Sequence, residues 1–297
     1  MSSPNNTSHQ HQPTLLADYA CNTGEGPLWH PNEECVYWVD IPRGRLFRYY
    51  PSSGHHEQCL ETDAIGGFTR QADGSLLLFM DKGAIRRWQN GTLTTVIDDI
   101  PRERATRFND VIADPMGRVF CGTMATPEQD ARLYRLDPDG TLTVLLEGVE
   151  ISNGLGFAPD LTLFYYTDSP KREISVFDYD QTTGAIANRR VFVKTDPRDG
   201  VPDGLTVDGQ GFVWSAFWDG NCIIRYTPDG VEEQRIDFPV RKVSSLTFGG
   251  PDYTDMYITT AGGDNKAEEG EGAGALFHLN LGIPGKAEFV SRIAVPS

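Results

Sequence analysis

One plan of short strands repeats six times along the chain. The repeats start at Gly26, Gly67, Asp110, Gly154, Gly204 and Ser245, and successive starts lie 41, 43, 44, 50 and 41 residues apart. Each repeat opens with a short apolar strand, turns at a pair such as Asp-Gly or Pro-Asp, and continues into strands rich in Val, Phe, Tyr and Trp. A period of roughly 40 to 45 residues with several strands per unit is typical of a propeller blade. The sequence therefore predicts an all-β fold, a six-bladed β-propeller.

The two ends of the chain bear on how such a ring closes. We predict a single propeller domain over residues 14–297, after a polar tail over residues 1–13 that we expect to be disordered. The strand-like stretch "TLLADYA" at residues 14–20 is predicted to pair with the terminal "EFVSRIAV" at residues 288–295, which would fasten the ring and hide a sheet edge. The Gly- and Glu-rich segment at residues 261–274 is predicted to be a mobile, solvated loop in the last blade rather than a lid.

Charge and cysteine usage exclude several classes of partner. The formal net charge of −16 repels phosphate backbones and anionic lipids, so we expect neither a nucleic-acid nor a membrane partner. The five cysteines include no CxxC pair, and the first residues have neither the basic nor the apolar region of a signal peptide. We therefore expect reduced thiols in a cytoplasmic protein. We further expect a monomer or a weak homo-oligomer.

Polar residues occupy one position in the repeats. The residues just before the six starts are Glu25, Gly66, Asn109, Asn153, Asp203 and Ser244. In a propeller the innermost strands of all blades begin around the central channel, so these positions converge on one face. A single Asn or Asp before a strand is usually turn chemistry, but four oxygen-bearing side chains in one register indicate a shared site. Two carboxylates and two amides suit Ca²⁺, Mg²⁺ or Mn²⁺, with Zn²⁺ or Fe²⁺ less expected, and predict a central metal site.

A second aspartate in the same stretch has a different role. Asp208 lies five residues after Asp203 and aligns with the ordinary turns of the other repeats. We therefore predict that Asp208 holds a turn while Asp203 binds the metal.

Several longer motifs resemble the SMP-30/gluconolactonase/LRE (regucalcin-like) family of six-bladed propellers. They are "GEGPLW" (24–29), "TRFNDVIADPMGRVFCGTM" (106–124), "SNGLGFAPD" (152–160), "YTDSPKREISVFDYDQTTGAIANRR" (166–190), "PDGLTVDGQGFVWSAFWDG" (202–220) and "GALFHL" (274–279). The resemblance runs from about residue 15 to residue 295, with the motifs in the family's order.

The resemblance implies roles for individual residues. Glu25, Asn153 and Asp203 would hold one divalent metal, and Asn109 would be a further metal contact. Arg107 and Asn109 would contact a sugar lactone, and Asp203 would be the catalytic base. The family often has consecutive glutamates after "GTM", one of which helps to hold substrate; here the chain reads "GTMATPEQD", and Glu128 is the nearest candidate for that substrate contact.

The resemblance thus implies a metal-dependent sugar lactonase that hydrolyses gluconolactone or a related aldonolactone to the aldonic acid, with one divalent cation, Ca²⁺ foremost, as cofactor. One alternative keeps the site but changes the substrate, as in a lactonase or phosphotriesterase-type hydrolase of different specificity. Another is a calcium-binding propeller without turnover. The pair Arg107 and Asn109 favours the enzyme, because a calcium buffer needs no sugar contacts.

Overall fold

The computed structural model describes residues 12–295, and nearly all of the regular structure in them is β-strand. The chain first forms β1 (Thr14–Asp18). Blade 1 then contains β2 (Gly24–His30), β3 (Cys35–Asp40), β4 (Arg45–Tyr50) and β5 (His55–Glu61). Blade 2 contains β6 (Ile65–Arg70), β7 (Leu76–Met80), β8 (Ile85–Gln89) and β9 (Thr92–Ile97). Blade 3 contains β10 (Phe108–Ala113), β11 (Val119–Thr123), β12 (Ala131–Leu136) and β13 (Leu142–Val149).

The second half of the chain follows the same plan. Blade 4 contains β14 (Ser152–Phe157), β15 (Leu163–Asp168), β16 (Glu173–Asp180) and β17 (Ala185–Lys194). Blade 5 contains β18 (Val201–Val207), β19 (Val213–Trp218), β20 (Cys222–Tyr226) and β21 (Glu232–Asp237). Blade 6 contains β22 (Val243–Gly249), β23 (Asp255–Thr260) and β24 (Ala275–Asn280). The helical pieces are short: three 3₁₀ turns, Pro101–Glu103, Ser169–Lys171 and Pro197–Asp199, and the single-turn helix α1 (Lys266–Glu269).

The six sheets form a closed ring. Each is a four-stranded antiparallel sheet; in blades 1 to 5 the strands follow chain order outward from the first, and in blade 6 the order outward is β22, β23, β24 and then β1. The first strands of neighbouring blades contact one another around the whole circle, from β2 through β6, β10, β14, β18 and β22 back to β2. The predicted six-bladed β-propeller is therefore confirmed. We call the end of the ring where these innermost strands begin the site face.

The hydrophobic core lies between the blades, because each sheet packs both of its faces against its neighbours. All six residues of β3 are buried, and so are all five of β7. Between blades 5 and 6, for example, Trp214 packs edge-on against Phe248, with ring centroids 6.4 Å apart. The outermost strands are more exposed. In β21, for example, exposed and half-buried residues alternate, because successive side chains point to opposite faces of the sheet.

The N-terminal strand closes the ring, but with a partner other than the predicted one. β1 pairs with β24, from Thr14 opposite His278 to Asp18 opposite Ala275, and so becomes the outermost strand of blade 6. The predicted pairing with residues 288–295 is wrong. β24 offers a free edge that matches β1 in length, whereas residues 288–295 run across the face opposite the site.

Residues 281–295, here called the C-terminal crossing, tie several blades together on that opposite face. Its backbone bonds reach blades 5, 6, 2 and 3 in turn, through Gly209 N to Pro284 O, Gly285 N to Tyr253 O, Ser291 N to Arg70 O, and Arg292 N to Gly117 O, at 2.8 to 2.9 Å. Glu288 and Phe289 line a cavity of about 70 Å³ among the innermost strands. The crossing therefore lies at the end of the central channel away from the site face.

The segment at residues 261–274 is not the free loop that its composition predicts. Gly262 and Gly263 donate backbone hydrogen bonds to Asn22 O and Cys21 O, at 3.0 and 2.9 Å, and Cys21 N donates to Gly274 O at 3.0 Å. Two ion pairs, Lys242 with Glu269 and Lys266 with Asp18, hold its helical turn. These contacts anchor the segment to blade 6 and to the chain just before blade 1.

Residues 1–11, the greater part of the predicted tail over residues 1–13, lie outside the described residues. Over residues 12–295 no helix is long and apolar enough to cross a membrane. All five cysteines are free thiols in the structure, four of them buried.

Candidate functional site

Each of the six innermost strands shifts its register close to the predicted polar position. In the strands with oxygen-bearing side chains the shift falls between Glu25 and Leu28, Phe108 and Val111, Asn153 and Leu155, and Pro202 and Leu205. A β-bulge interrupts the alternation of side chains and re-aims them, and bulges are common beside active sites. The polar residues therefore leave the regular ladder at one shared level on the site face.

Glycines let the innermost strands approach one another closely at this level. A Cβ added at Gly66 would lie 2.0 Å from Phe108 O, and one added at Gly154 would lie 2.6 Å from Asp203 O. Any larger residue at Gly66 would collide with backbone, which cannot move aside as a flexible side chain can. The main chains of neighbouring innermost strands are therefore in close contact at this level, which brings their polar side chains together.

Three of the predicted site residues are joined by direct hydrogen bonds. The Arg107 guanidinium donates to Asn109 Oδ1 at 2.6 Å, and Asn109 Nδ2 donates to Asn153 Oδ1 at 2.5 Å. Asn109 Nδ2 also donates to Ser152 O at 2.9 Å. Asn153 Nδ2 in turn donates to Ser169 Oγ at 2.7 Å. The structure thus brings Arg107, Asn109 and Asn153 from blades 3 and 4 into one connected group.

The two predicted carboxylate ligands are buried beside this group. Glu25 is 3% exposed and Asp203 is 5% exposed. Burial, and then the charges of Asp203 and Asp110, raise the pKa of Glu25 well above its usual range. Burial, and then the charge of Asp110, likewise raise the pKa of Asp203. The carboxylates therefore lie close enough to oppose one another's ionisation, as a site built for a cation would require.

Arg107 is the positive charge that partly offsets these carboxylates. Burial lowers the pKa of its guanidinium, while the charges of Glu25, Asp110 and Asp203 act in the opposite direction. The same guanidinium lowers the pKa of Glu25 and of Asp203, although less than burial raises them. One cation thus faces three acidic groups.

Asp110 is a member of the site that the sequence analysis missed. It lines the central cavity, and burial raises the pKa of its carboxyl to about 7, against the opposing effects of a hydrogen bond from the Gly154 backbone and of Arg107. Strict strand alternation would send Asn109 and Asp110 to opposite faces, but the bulge in β10 spans both residues. The consecutive polar pair in "RFND", at the start of a strand, was the available signal.

Ser169 was also missed, because its role depends on contacts across two blades. Its hydroxyl accepts from Asn153 and donates to Pro202 O at 2.6 Å, the carbonyl just before Asp203. A comparable bond exists in blade 6, where Ser244 Oγ donates to Gly24 O at 2.6 Å, just before Glu25. A buried hydroxyl from the preceding blade thus holds the main chain before each of the two carboxylates.

Glu128 lies apart from the connected group. It is exposed, in the turn between β11 and β12 on the site face, where its backbone N–H donates to Thr126 Oγ1 at 3.3 Å. The same connection starts beside the site, because Met124 N donates to Arg107 O at 3.3 Å. The substrate contact predicted for Glu128 stays a prediction.

The donor set fits a hard divalent cation in chemistry. Over residues 12–295, no group of three or more His, Cys, Asp or Glu side chains has the arrangement of a metal centre. The predicted ligands are instead two carboxylates and two amide oxygens, which suit oxygen-seeking cations. Buried carboxylates with raised pKa values also gain from a cation that shields them. The residues that could hold it are Glu25, Asn153 and Asp203. Asn109, the fourth predicted ligand, has its Oδ1 bonded to Arg107 and would have to release that bond to bind a cation.

Fold and site together define a six-bladed β-propeller with a cluster of buried oxygen donors where its innermost strands begin. Residues 23–262 match the sequence pattern of the SMP-30/Gluconolactonase/LRE-like region. The chain belongs to this family.

Comparison with individual proteins agrees with this placement. The chain is 48% identical over 293 residues to pentonolactonase XacC of Haloferax volcanii, with 94% of this chain and 98% of the relative covered. It is 36% identical to regucalcin of Gallus gallus, over 80% of this chain and 83% of the relative. Among solved structures, the gluconolactonase XC5397 of Xanthomonas campestris superposes with a TM-score of 0.76 at 26% identity, over 90% of this chain and 89% of that one.

Proposed function

We propose that this protein is a sugar lactonase that depends on one divalent cation and opens an aldonolactone, gluconolactone or a close relative, to the aldonic acid. The proposal is supported by relatives named as a pentonolactonase and a gluconolactonase, and both five-carbon and six-carbon lactones are therefore candidate substrates. The observation that carries the proposal is the meeting of two buried carboxylates, two amides and one arginine at the start of the innermost strands.

Binding of the sugar is assigned to the arginine side of the site. Arg107 has donors beyond the two bonds that its NH1 makes to Asn109 Oδ1 and Phe108 O, and a guanidinium presents five N–H groups in a fixed fork. These donors would contact the hydroxyls and ring oxygen of a lactone, with Asn109 beside them. Glu128, in the adjoining turn, would contact the outer hydroxyls of the sugar. The ring would thereby be held in one orientation.

Hydrolysis needs a base, and Asp203 is proposed for it. Burial and the neighbouring Asp110 raise the pKa of Asp203 in the metal-free chain, whereas a cation bound to the carboxylate would lower it, so Asp203 would orient the attacking water as much as deprotonate it. Asp203 would take a proton from water as the water oxygen attacks the lactone carbonyl carbon. The ring C–O bond then breaks, the ring oxygen receives the proton that Asp203 took from water, and the open-chain acid is released.

A divalent cation, when bound by Glu25, Asn153 and Asp203, would supply Lewis-acid stabilisation of the negative charge that develops on the carbonyl oxygen. We propose Ca²⁺ for this role, ahead of Mg²⁺, Mn²⁺, Zn²⁺ and Fe²⁺, because carboxylate and amide oxygens are its usual ligands.

A pH-stat assay across an aldonolactone panel tests the proposal. The purified chain is stripped with a chelator, assayed, and assayed again after each metal is added back singly. We expect stripping to abolish acid release and one cation to restore it on at least one pentono- or gluconolactone. Full activity after stripping would contradict the cation dependence.

Two further arms of the same assay address the alternatives. An organophosphate substrate tests for a phosphotriesterase, which would release acid from that compound but from none of the lactones. Calorimetric cation binding without turnover of any lactone would favour a calcium-binding propeller. A monomeric or weakly oligomeric state and a cytoplasmic location also remain predictions.

A further inference from the structure

The four hydrogen bonds that link Arg107 to Pro202 all run in one direction. Arg107 donates to Asn109, Asn109 to Asn153, Asn153 to Ser169, and Ser169 to Pro202 O. The two ends fix this direction, because a guanidinium can only donate and a carbonyl can only accept. Every amide in between is therefore oriented by its neighbours.

Ser169 decides the orientation of Asn153 by proton count. Its hydroxyl has a single proton, and Pro202 O takes it at 2.6 Å. The group that faces Ser169 from Asn153, 2.7 Å away, must then be the NH₂ and not the oxygen. Asn153 Oδ1 is consequently turned toward Asn109 and the candidate cation site.

Asn109 supports the same orientation of the Asn153 amide, but only through a hydrogen bond to its oxygen. It donates to Asn153 Oδ1, the atom that a bound cation would engage. The bond to Ser169 is made by the nitrogen and does not compete with a ligand at the oxygen. Ser169 is itself buried, 6% exposed, and begins the 3₁₀ turn Ser169–Lys171 that follows β15. It is therefore the restraint on Asn153 that persists when the oxygen is occupied.

We propose that Ser169 is a positioning residue that presents Asn153 Oδ1, rather than Nδ2, to the cation, and at the same time holds the main chain before Asp203. This inference rests on the proposed cation site and assigns it a residue outside the ligand set. Partners that orient metal ligands typically contribute 10- to 100-fold to metal affinity. Loss of the hydroxyl would leave the Asn153 amide free to present its nitrogen, which repels a cation.

Blade 6 offers a matched control. Ser244 is also buried and also donates to the carbonyl before a carboxylate, at Gly24, but it is not bonded to the side chain of a predicted ligand. Ser244→Ala therefore removes a main-chain bond of the same kind without freeing an amide. Ser169→Thr retains the hydroxyl and serves as the conservative variant.

The experiment is calorimetric titration of the chelator-stripped chain with Ca²⁺, together with thermal unfolding of each metal-free variant. We expect Ser169→Ala to weaken Ca²⁺ binding about 10- to 100-fold. Ser169→Thr and Ser244→Ala should stay within about threefold of the unsubstituted chain, because neither variant frees the Asn153 amide to turn its nitrogen toward the cation. Equal losses for Ser169→Ala and Ser244→Ala, or no loss for Ser169→Ala, would overturn the positioning role.

A second background separates orientation from packing. Asn153→Asp places an oxygen on both sides of the side chain, so its orientation no longer matters to a cation. Adding Ser169→Ala to Asn153→Asp should then change Ca²⁺ affinity by less than about threefold, a non-additive result that marks coupled residues. The full 10- to 100-fold loss in that background would refute the proposal. If the unsubstituted chain bound no divalent cation, the proposed function would be overturned as well. Failure of the function is thus distinguished from failure of the Ser169 role alone, in which the unsubstituted chain still binds.

Discussion

The two ends of β18 carry aspartates that are both buried but differ in their partners. Asp208, just after the strand, accepts backbone hydrogen bonds from Gln210 and Phe212 and pairs with Arg225 at 2.6 Å. Asp203, near its start, lies in a bulge, where burial and the charge of Asp110 raise the pKa of its carboxyl. The structure confirms the turn role predicted for Asp208. The metal-binding role predicted for Asp203 stays a prediction.

Blade 3 repeats the contrast. Asp114, after β10, accepts from the backbone of Met116 and Arg118, from the Arg118 side chain at 2.6 Å and from Tyr179 Oη at 2.9 Å. Asp110, within the strand, faces the cavity with a raised pKa. Asp114 and Asp208 are thus fully paired in turns, whereas Asp110 and Asp203, whose pKa values are raised, belong to the candidate site.

Replacing the site aspartate should have the largest effect on chemistry and little effect on folding. We expect Asp203→Asn to lower kcat by about 10²- to 10⁴-fold, because the base is lost. The metal-free chain should unfold at the same or a higher temperature, since a buried charge has been removed. Lactone hydrolysis by pH-stat and thermal unfolding measure the two effects. Asp139→Asn, the same change in an exposed turn, is the control; full activity in Asp203→Asn would remove Asp203 from the mechanism.

Replacing the turn aspartate, Asp208, should lower stability and leave the chemistry unchanged. Asp208→Ala leaves Arg225 buried without its main partner, and breaking a buried ion pair costs about 3 to 5 kcal/mol of folding free energy. Denaturant unfolding measures this loss. The kcat per folded molecule should stay unchanged. A large fall in kcat without loss of stability would contradict the assignment of Asp208 to the scaffold and of Asp203 to the site.

The pH dependence of cation binding sharpens the contrast further. Since burial raises the pKa of Glu25 and Asp203, the folded metal-free chain holds protons that the unfolded chain has released. Its stability therefore falls as pH rises from the ordinary carboxylate range through the raised pKa values. A cation at 100 times its Kd should add about 2.7 kcal/mol.

Because the cation needs both carboxylates ionised, this gain should be present at pH 8 and shrink at pH 5. Unfolding with and without Ca²⁺ at the two pH values checks it, with Asp203→Asn as the control that lacks one titrating ligand. The same gain at both pH values would contradict the role of these carboxylates.

The smallest effect is expected for Glu128, which is exposed on the site face. Glu128→Ala should raise KM by no more than about fivefold and leave kcat unchanged, because an exposed charged contact contributes about 1 kcal/mol or less. Steady-state kinetics on the preferred lactone gives both constants. A large fall in kcat would place Glu128 among the reacting groups.

The ring could be predicted because its signals are local. Turn pairs such as those around Asp114 and Asp208 recur at a nearly constant spacing, and each blade depends mainly on strands next to it in sequence. The shared register of Glu25, Asn153 and Asp203 follows from the same period. The number of blades and the convergence of the polar side chains were therefore accessible from the chain alone.

What escaped prediction depends on contacts that no repeat contains. The bulge that admits Asp110 to the site changes the direction of two successive side chains, and alternation rules assume that no bulge exists. Ser169 acts on a carbonyl of the next blade. The C-terminal crossing bonds to single turn and strand-end groups in several blades rather than to one strand edge, so its sequence has no matching partner pattern.

The C-terminal crossing bears on how small molecules would reach the site. Glu288 and Phe289 line the cavity among the innermost strands at the end away from the site face. A lactone and the acid made from it would then both pass through the site face, and the acid would have to leave before the next lactone binds. We therefore expect the open-chain acid to inhibit competitively, as a rise in KM at constant kcat when acid is added to the assay.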